Sequence, residues 1–382
     1  MYDEVGYVAA GRAVADQLTC AGSCDGSLVA AIGRLLWHNP GYSAAFVIAE
    51  LLPGGSAIWI RLLQIGAGLL TAACVHRLLA RRLAAPWPLL AAGFCALHPT
   101  HLFFRLTLWP VALGACGVAL VALLLDRLDA EPSRGRAWTT GLAYAALTSV
   151  FPLALGAAPL LVGVVVRLRG HAVALLLPAG ALWAALALAS SLALGQPALL
   201  LSGPENAALG NNPWIADGRG SSLHDKESVR LLRGTVDRAC PPTGALDELR
   251  CKGLEHRVIA RETLRAAPLS AVGRALIRVL ETWSPDDYVA RHLRDPRVGW
   301  ASPAAPAVLA LVALAELASL LLLLVAAAGA ARRPRVLLLV AAIALCTAPV
   351  LFGVGLTRLR QPLLPLVLVA AALAVGRYHR RR

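Results

Sequence analysis

Long apolar segments constrain this chain more than any other feature of its sequence. Of its 382 residues, 58% are hydrophobic and 15% are charged, and several stretches approach the roughly 20 apolar residues with which an α-helix crosses a bilayer. We therefore expect an all-α, polytopic transmembrane helical protein. The apolar stretches predict about nine spans, near residues 57–79, 86–104, 107–125, 137–150, 152–167, 171–194, 304–328, 336–355 and 361–377.

The region 137–167 is the least regular part of this map. Phe151-Pro152 separates two short apolar pieces there, and proline interrupts a helix. One kinked span followed by a re-entrant piece is the alternative to two separate spans.

Clusters of arginine predict the orientation of the spans. Cytoplasmic loops collect Lys and Arg, and with all the predicted spans in place the five clusters fall on one side of the membrane. The clusters are Arg77/Arg81/Arg82, Arg127/Arg134/Arg136, Arg167/Arg169, Arg332/Arg333/Arg335 and Arg377/Arg380/Arg381/Arg382. The C-terminus is then cytoplasmic, and the turn 356–361 and the loop 98–105 lie outside. The net charge of +14 follows from topology and does not indicate a nucleic-acid partner.

This orientation divides the chain into four regions. Residues 1–56 are an extracytoplasmic first loop with interfacial helices, and residues 57–194 are transmembrane helices. Residues 195–303 are an extracytoplasmic loop domain, and residues 304–382 are transmembrane helices with a basic cytoplasmic tail. The preference for Ala, Leu and Arg is typical of GC-rich bacterial genomes, so the expected location is the bacterial inner (plasma) membrane.

The cysteines agree with this orientation. Cys20 and Cys24 lie in the first outer region, and Cys240 and Cys251 lie in the long outer loop. Disulfides within each loop are expected in an oxidising compartment, whereas a metal site at Cys20 and Cys24 is disfavoured because no second ligand pair stands at zinc spacing. The cysteines within spans are expected to be inert core residues: Cys74, Cys95, Cys116 and Cys346.

The segment 255–283 combines arginines with apolar residues and is divided by Pro268. This composition is typical of amphipathic helices on a membrane surface. A helical loop that packs on its own domain is an equal alternative.

An acidic pair, Asp3-Glu4, precedes all the predicted spans. On the outer side its carboxylates could act as a general base, bind a cation or begin a helix. Asp3 suits the N-cap of a helix over residues 4–18, and acidic residues in a first turn are favoured by the helix dipole. The residues alone leave these roles open.

Arg358 and Arg360 stand in a late turn on the side where the positive-inside rule disfavours them. Because the planar guanidinium suits phosphate oxygens, they predict a phosphate or pyrophosphate ligand. Snorkelling into lipid headgroups is the alternative.

Polar residues at two other outer positions are further candidates. In Gly210-Asn211-Asn212-Pro213 the amides suit sugar hydroxyls, although the same residues also specify a tight turn. His98 and His101 could bind a metal, but without a carboxylate nearby in sequence hydrogen bonding is favoured. Glu50 and Glu316 lie in apolar surroundings, where an acid is usually kept for a partner, and the sequence identifies none.

These motifs follow one another in an order that covers nearly the whole chain. They are Asp3-Glu4 with Tyr7 and Ala9, His38-Asn39-Pro40-Gly41-Tyr42, Arg61-Leu62-Leu63, His76-Arg77-Leu78-Leu79-Ala80-Arg81-Arg82, Leu97-His98-Pro99, Gly210-Asn211-Asn212-Pro213 and Arg358-Leu359-Arg360-Gln361-Pro362-Leu363-Leu364-Pro365. The order resembles that of the GT-C membrane glycosyltransferases, in the branch of dolichyl-phosphate-mannose protein mannosyltransferases and bacterial lipid A aminoarabinose transferases.

The resemblance implies transfer of a sugar, with inversion, from a polyprenyl-phosphate donor to an extracytoplasmic lipid, glycan or protein. It implies that Asp3, with Glu4 beside it, is the catalytic base, and that Arg358 and Arg360 hold the leaving phosphate. The substrate-binding positions that it implies are His38, Tyr42, Asn211, Asn212 and Arg105. No cofactor is certain, and a divalent cation stays open because GT-C enzymes differ in metal use.

Two departures accompany the resemblance. Relatives usually have one span before the acidic pair, so we expect that this first span is missing and that the gene begins upstream of Met1. Trp109 stands where many relatives carry a second acid. A transporter or flippase of a lipid-linked sugar and a non-catalytic membrane protein are the competing interpretations, although the sequence lacks the internal repeat typical of transporters.

Overall fold

The structure is a computed structural model that describes most of the chain. The described residues are 2–19, 28–37, 39–158, 161, 169–194, 202–216, 218–221, 226–241, 244–284, 305–353 and 357–376. The side chains of Asp3 and Glu4, and the whole of Cys20, Cys24 and His38, lie outside this description.

The regular secondary structure of the described residues is helical, with short 3-10 turns and no strand. The α-helices are α1 (Tyr2–Thr19), α2 (Leu28–Trp37), α3 (Pro40–Glu50), α4 (Ser56–Ala80), α5 (Trp87–Leu97), α6 (Pro99–Leu106), α7 (Val111–Ala130), α8 (Arg134–Val150), α9 (Ala172–Leu194), α10 (Gly203–Gly210), α11 (Lys226–Ala239), α12 (Ala245–Ala266), α13 (Pro268–Trp283), α14 (Ala305–Ala330), α15 (Pro334–Thr347) and α16 (Leu364–Val375). The 3-10 turns are Pro152–Ala157, Arg169–His171, Ala348–Leu351, Thr357–Leu359 and Gln361–Leu363.

Proline and serine explain several helix starts. Pro40, Pro99 and Pro334 each occupy the beginning of a helix, where the missing N–H costs nothing and the fixed φ suits the helix. Ser133 caps α8 by accepting a hydrogen bond from the backbone N–H of Arg136 at 3.3 Å.

The chain divides into two compact units. Unit 1 comprises Met1–Ile60, Gly180–Thr282 and Pro349–Leu356, and unit 2 comprises Arg61–Ala179, Trp283–Ala348 and Thr357–Arg382. In unit 1, α1 packs against α2 and α3. Gly11 permits the close approach of α1 to α3, because a Cβ there would lie 2.4 Å from the Cβ of Phe46.

The core of unit 2 is built around α16. This helix contacts α5, α7, α14 and α15, and Leu364 to Leu373 are all buried. A helix that is apolar on every side belongs in the interior of a bundle. At 12 residues it is about 18 Å long, which is shorter than the roughly 30 Å hydrocarbon core of a bilayer.

Five described helices are long and apolar enough to cross a membrane. They are Ser56–Ala80, Val111–Ala130, Ala172–Leu192, Pro306–Ala330 and Pro334–Leu351. A sixth span results if α5 and α6, which are bent by 47°, form one broken span. The break follows from the sequence, because Pro99 pushes His98 out of the helical region, to φ −57° and ψ 120°.

The other three predicted spans look different in the structure. The stretch 137–150 lies in the 17-residue α8, and 361–377 contains the short buried α16. The stretch 152–167 begins with a 3-10 turn at Pro152–Ala157, and its second half falls largely outside the described residues. The five or six helices above are therefore the candidate spans of the described chain.

The cysteine predictions are testable at six of the eight positions. Cys240 and Cys251 form a disulfide that links the end of α11 to α12, with a Cα–Cα distance of 5.6 Å. The four remaining described cysteines, Cys74, Cys95, Cys116 and Cys346, are free and buried, as expected.

Candidate functional site

Glu316 is the centre of a buried polar cluster in unit 2. It lies within the apolar helix α14 and is 1% exposed. Arg360, at the turn before α16, forms an ion pair with Glu316 Oε2. Glu316 Oε1 accepts hydrogen bonds from Thr100 Oγ1 at 2.6 Å and from Gln361 Nε2 at 2.9 Å. The sequence identified no partner for Glu316, and the structure shows three.

Two histidines border this cluster. His98 Nε2 lies 3.2 Å from Ser319 Oγ and 4.0 Å from Glu316 Oε1. Since the Ser319 hydroxyl donates to the carbonyl of Ala315 at 2.9 Å, its oxygen is left to accept from His98. His101 Nε2 donates to the carbonyl oxygen of Gln361 at 3.0 Å.

The histidines therefore make hydrogen bonds, which agrees with the preferred interpretation of the sequence. The residues that the structure describes contain no group of three or more His, Cys, Asp or Glu side chains able to hold a metal ion.

A small recess adjoins the cluster and is about large enough for a water molecule. Its polar wall consists of Glu316, Ser319, Arg360 and Gln361, and Trp283 covers another side. The Arg360 guanidinium carbon lies 5.8 Å from the centre of the Trp283 ring. Arg360 is 5% exposed, and its Nη1 is buried without a hydrogen-bond partner among the described residues. The Nη1 group of Arg360 thus lacks an acceptor among the described residues, although the charge of the guanidinium is balanced by Glu316.

Arg358 occupies a different environment two residues earlier. Its guanidinium carbon lies 3.9 Å from the centre of the Trp109 ring, which is a cation–π contact. Trp109 is itself fixed, because it is 5% exposed and its carbonyl accepts a hydrogen bond from Gln64 at 2.5 Å. Trp109, at the position where the resemblance leads one to expect an acid, therefore orients Arg358.

Arg105, a predicted substrate-binding residue on α6, caps the C-terminal end of α5 with its side chain. It is buried and donates from Nη1 to the carbonyl of Ala96 at 2.8 Å and from Nη2 to that of Cys95 at 3.3 Å. These carbonyls belong to the last turn of a helix, where a cation is favourable. Gly68 leaves room for the guanidinium, since a Cβ there would lie 2.1 Å from Arg105 Nε.

The predicted base belongs to unit 1. Helix α1 begins at Tyr2, so Asp3 and Glu4 lie in its first turn instead of at an N-cap. Tyr42, on α3, is fully buried, and its ring packs edge-on against Tyr7 of α1, with 4.9 Å between ring centres. The aromatic part of this predicted substrate-binding position is therefore part of the core of unit 1.

Asn211 and Asn212 form a turn after α10 and are each 1% exposed. Asn211 Nδ2 donates to the carbonyls of Ala207 at 3.1 Å and Phe352 at 3.0 Å. Asn212 Nδ2 donates to the carbonyl of Ala208 at 2.8 Å, and its Oδ1 accepts from the N–H of Trp214 at 3.1 Å. These bonds favour the alternative of a structural turn for both amides.

Another buried arginine, Arg278 of α13, also binds the backbone at the start of this turn. Its Nη1 donates to the carbonyls of Gly210 at 2.7 Å and Gly220 at 2.9 Å, and Nε donates to that of Val350 at 3.1 Å. Its Nη2 also donates to the carbonyl of Leu351. Burial lowers the pKa of Arg278 to about 10; Arg274 lowers it further and Glu281 opposes the shift.

The second acid in apolar surroundings, Glu50, has partners in unit 1. Its Oε1 accepts a hydrogen bond from Ser56 Oγ at 2.6 Å and lies 3.5 Å from Arg12 Nη2. Because the Arg12 side chain is 62% exposed, this ion pair is screened by solvent.

Comparison of the chain with protein-family models, with curated proteins and with solved structures gives no match in any of the three. The site is therefore interpreted from its residues. Unit 2 brings the predicted phosphate-binding Arg358 and Arg360 into one short turn, and unit 1 contains the predicted base and the asparagine turn.

Proposed function

We propose that the protein is an integral-membrane glycosyltransferase that moves a sugar from a polyprenyl-phosphate donor to an extracytoplasmic acceptor with inversion. The observation that carries this proposal is the turn with Arg358 and Arg360 next to helices long enough to span a bilayer. A cation buried among such helices is costly and is usually kept for function.

The two arginines offer different kinds of contact to a phosphate. Arg358 is half-buried and its guanidinium lies over the Trp109 ring. A planar guanidinium makes its hydrogen bonds through its edge. The charge of Arg360 is balanced by Glu316, and its Nη1 has no hydrogen-bond partner among the described residues. We assign the main phosphate contact to Arg358, with Arg360 supplying a further N–H.

The proposed reaction is a single displacement. The acceptor hydroxyl oxygen attacks the anomeric carbon, and the bond from that carbon to the phosphate oxygen breaks. The phosphate leaves with the electron pair, which Arg358 and Arg360 stabilise, and the hydroxyl proton passes to the Asp3 carboxylate, with Glu4 beside it. The acceptor is a lipid, a glycan or a protein, and the sugar is a hexose or a derivative of one.

We further propose that the protein lies in the bacterial plasma membrane with its active site outside and its C-terminus in the cytoplasm. The Cys240–Cys251 disulfide supports an oxidising location for unit 1. The basic segments that follow α4, α7 and α14 support a cytoplasmic location for those helix ends.

A transporter or flippase of the same lipid-linked sugar is the second candidate, and the break between α5 and α6 favours it. Transporters often bind their cargo where a span is interrupted, and here His98 and Thr100 flank such a break and reach the Glu316 cluster.

The deciding experiment is mass spectrometry of envelope lipids and glycans from a deletion strain complemented with variants. We expect one sugar modification to disappear and its polyprenyl-phosphate donor to accumulate. Asp3→Asn is expected to behave like the deletion while inserting normally, because a general base contributes about 10²- to 10⁴-fold. Asp16→Asn, at an exposed position on the same helix, is the matched control and is expected to retain activity.

Assays of sugar translocation and sugar transfer in purified vesicles distinguish the two candidates. If vesicles from the complemented deletion strain translocate the sugar but transfer none to an acceptor, the protein is a flippase. An unchanged donor pool with no missing glycan would reject both candidates.

A further inference from the structure

Helix α13 carries a row of apolar side chains on its exposed face. Leu269, Val272, Leu276 and Leu280 are 87%, 59%, 60% and 71% exposed. At 3.6 residues per turn these four side chains fall within about 80° of one another around the helix axis. They form one continuous stripe, which is called the α13 stripe below.

The opposite face of α13 is the polar one, and it is buried. Arg278 and Thr282 are 1% and 0% exposed, and Arg278 bonds to backbone carbonyls of its own unit. A helix on a water-soluble domain does the reverse and buries its apolar stripe. A continuous exposed apolar surface marks a place where protein or membrane covers it.

The surroundings of α13 within unit 1 indicate a membrane. The candidate span Ala172–Leu192 ends in this unit, where Leu186 and Ala189 pack against Leu36 of α2, as does Leu249 of α12. The end of a candidate span and the start of α12 therefore share one packing partner, and α12 leads directly into α13. Leu192, at the end of the candidate span in α9, is 74% exposed. This span therefore carries an exposed leucine, as the α13 stripe does.

Charges near the stripe are of the kind that phospholipid headgroups bind. Arg257, Arg261 and Arg265 are all exposed on α12, just before α13 begins. Apolar leucines on one face with arginines nearby are the signature of a helix that lies in the interface.

We propose that α13 lies in the lipid–water interface, with the α13 stripe in the acyl boundary of the bilayer and the α12 arginines directed to phosphate headgroups. With 16 residues the helix would cover about 24 Å of membrane surface. Its inner face holds the Asn211–Asn212 turn through Arg278, so this turn is fixed directly over the membrane surface. The proposal stands independently of any catalytic activity.

Spin labels on the full chain test the position of the stripe. The substitutions Leu269→Cys, Leu276→Cys and Leu280→Cys are labelled one at a time and reconstituted in vesicles of equal parts phosphatidylethanolamine and phosphatidylglycerol. We expect oxygen, which concentrates in lipid, to collide with each label faster than the water-soluble nickel chelate NiEDDA does. Labelling of the unsubstituted chain gives the background from its own cysteines.

Two reference positions calibrate the measurement. Leu314→Cys on the candidate span α14, at a side chain 65% exposed, is expected to report lipid. Glu262→Cys on α12, also exposed, is expected to report water, with NiEDDA colliding faster than oxygen.

Either of two results would overturn the proposal. Faster collision with NiEDDA along the whole stripe would show that α13 faces water. Slow collision with both reagents would show that protein covers the stripe, either a second copy of the chain or another partner. The labels are placed at exposed positions, so a loss of folding is not expected to obscure the result.

Discussion

Each unit contains a buried arginine, Arg278 in unit 1 and Arg360 in unit 2, and the two guanidinium groups have different kinds of partner. Arg278 of unit 1 donates to four backbone carbonyls, those of Gly210, Gly220, Val350 and Leu351. Arg360 of unit 2 forms an ion pair with a carboxylate, and its Nη1 makes no hydrogen bond among the described residues.

The difference separates a structural cation from a candidate ligand-binding one. Every nitrogen of Arg278 is occupied by a backbone acceptor, so the side chain joins three segments of chain and offers nothing to a ligand. Arg360 has its charge balanced, which lowers the cost of burying it, yet one N–H group is still available. The same residue type thus serves as a clamp in one unit and as a candidate phosphate contact in the other.

The largest effect is expected where the clamp is removed. Arg278→Met leaves four buried or partly buried carbonyls without their donor, and we expect the free energy of unfolding of unit 1 to fall by about 4 kcal/mol or more. The measurement is thermal unfolding of detergent-purified protein together with the yield of monodisperse material. Arg265→Met, at an exposed position on α12, is the control and should leave both unchanged. An equally mild effect of both substitutions would mean that Arg278 is not a clamp.

A smaller effect is expected from breaking the ion pair. Glu316→Gln keeps a polar side chain next to Thr100 and Gln361 but leaves Arg360 as a buried uncompensated cation, at a cost of about 3 kcal/mol. Arg360→Met leaves the buried carboxylate of Glu316 and should cost a similar amount.

The double variant distinguishes charge balance from packing. Glu316→Leu combined with Arg360→Met removes both charges, and we expect it to be more stable than either single variant, because a buried pair often contributes little beyond an apolar replacement. Thermal unfolding of the four proteins completes the cycle. Additive losses would indicate that the two side chains act independently.

Several features of the structure could be predicted from the sequence. Apolar length predicted the helices that form the candidate spans, and loop position predicted the Cys240–Cys251 pair. Arg358 and Arg360 were singled out because the predicted orientation puts them on the side of the membrane where arginine is disfavoured. Glu316 and Arg360 each lacked a partner in sequence, so their pairing could have been inferred from two unbalanced charges in apolar surroundings.

Other parts of the site depend on contacts between distant residues, which leave no local pattern. Arg278 resembles any arginine of an amphipathic helix, and its acceptors at Val350 and Leu351 are 72 and 73 residues away. The asparagine turn was recognisable as a turn, but Asn211 reaches Phe352 across 141 residues. Arg105 was predicted to bind substrate, and nothing in the sequence indicated that its guanidinium caps the helix that precedes it.

The clamp can also be tested through its acceptor. A Cβ at Gly210 would lie 1.9 Å from the carbonyl oxygen of Gly353, so Gly210→Ala must displace the turn whose carbonyl Arg278 binds. We expect a loss of about 2 kcal/mol, the usual cost of overpacking, in thermal unfolding. Gly253→Ala on α12, where a Cβ meets nothing within 4 Å, should instead stabilise the protein by about 0.5–1 kcal/mol. The clamp model fails if both substitutions stabilise.

The smallest effect concerns pH and belongs to unit 1. Mild acid is expected to act on this unit through His256 of α12, which is 6% exposed. Burial lowers the pKa of His256, as does the nearby Lys252, whereas a backbone hydrogen bond and the acids Glu255 and Asp237 oppose the shift. The unfolded chain has a histidine pKa of about 6.5. At a pH between this value and the lower pKa of the folded state, His256 is therefore protonated in the unfolded chain and neutral in the folded chain.

Stability from His256 is consequently complete above about pH 6.5 and declines as the pH falls from there toward the lower pKa of the folded state. We expect the unfolding temperature to be lower at about pH 5.5 than at about pH 7.5, and His256→Gln to reduce that difference because glutamine does not titrate. His171→Gln is the control, since that histidine lies in unit 2, outside the clamped unit. If the pH dependence of the His256→Gln protein equals that of the unsubstituted chain, the acid sensitivity does not arise from His256.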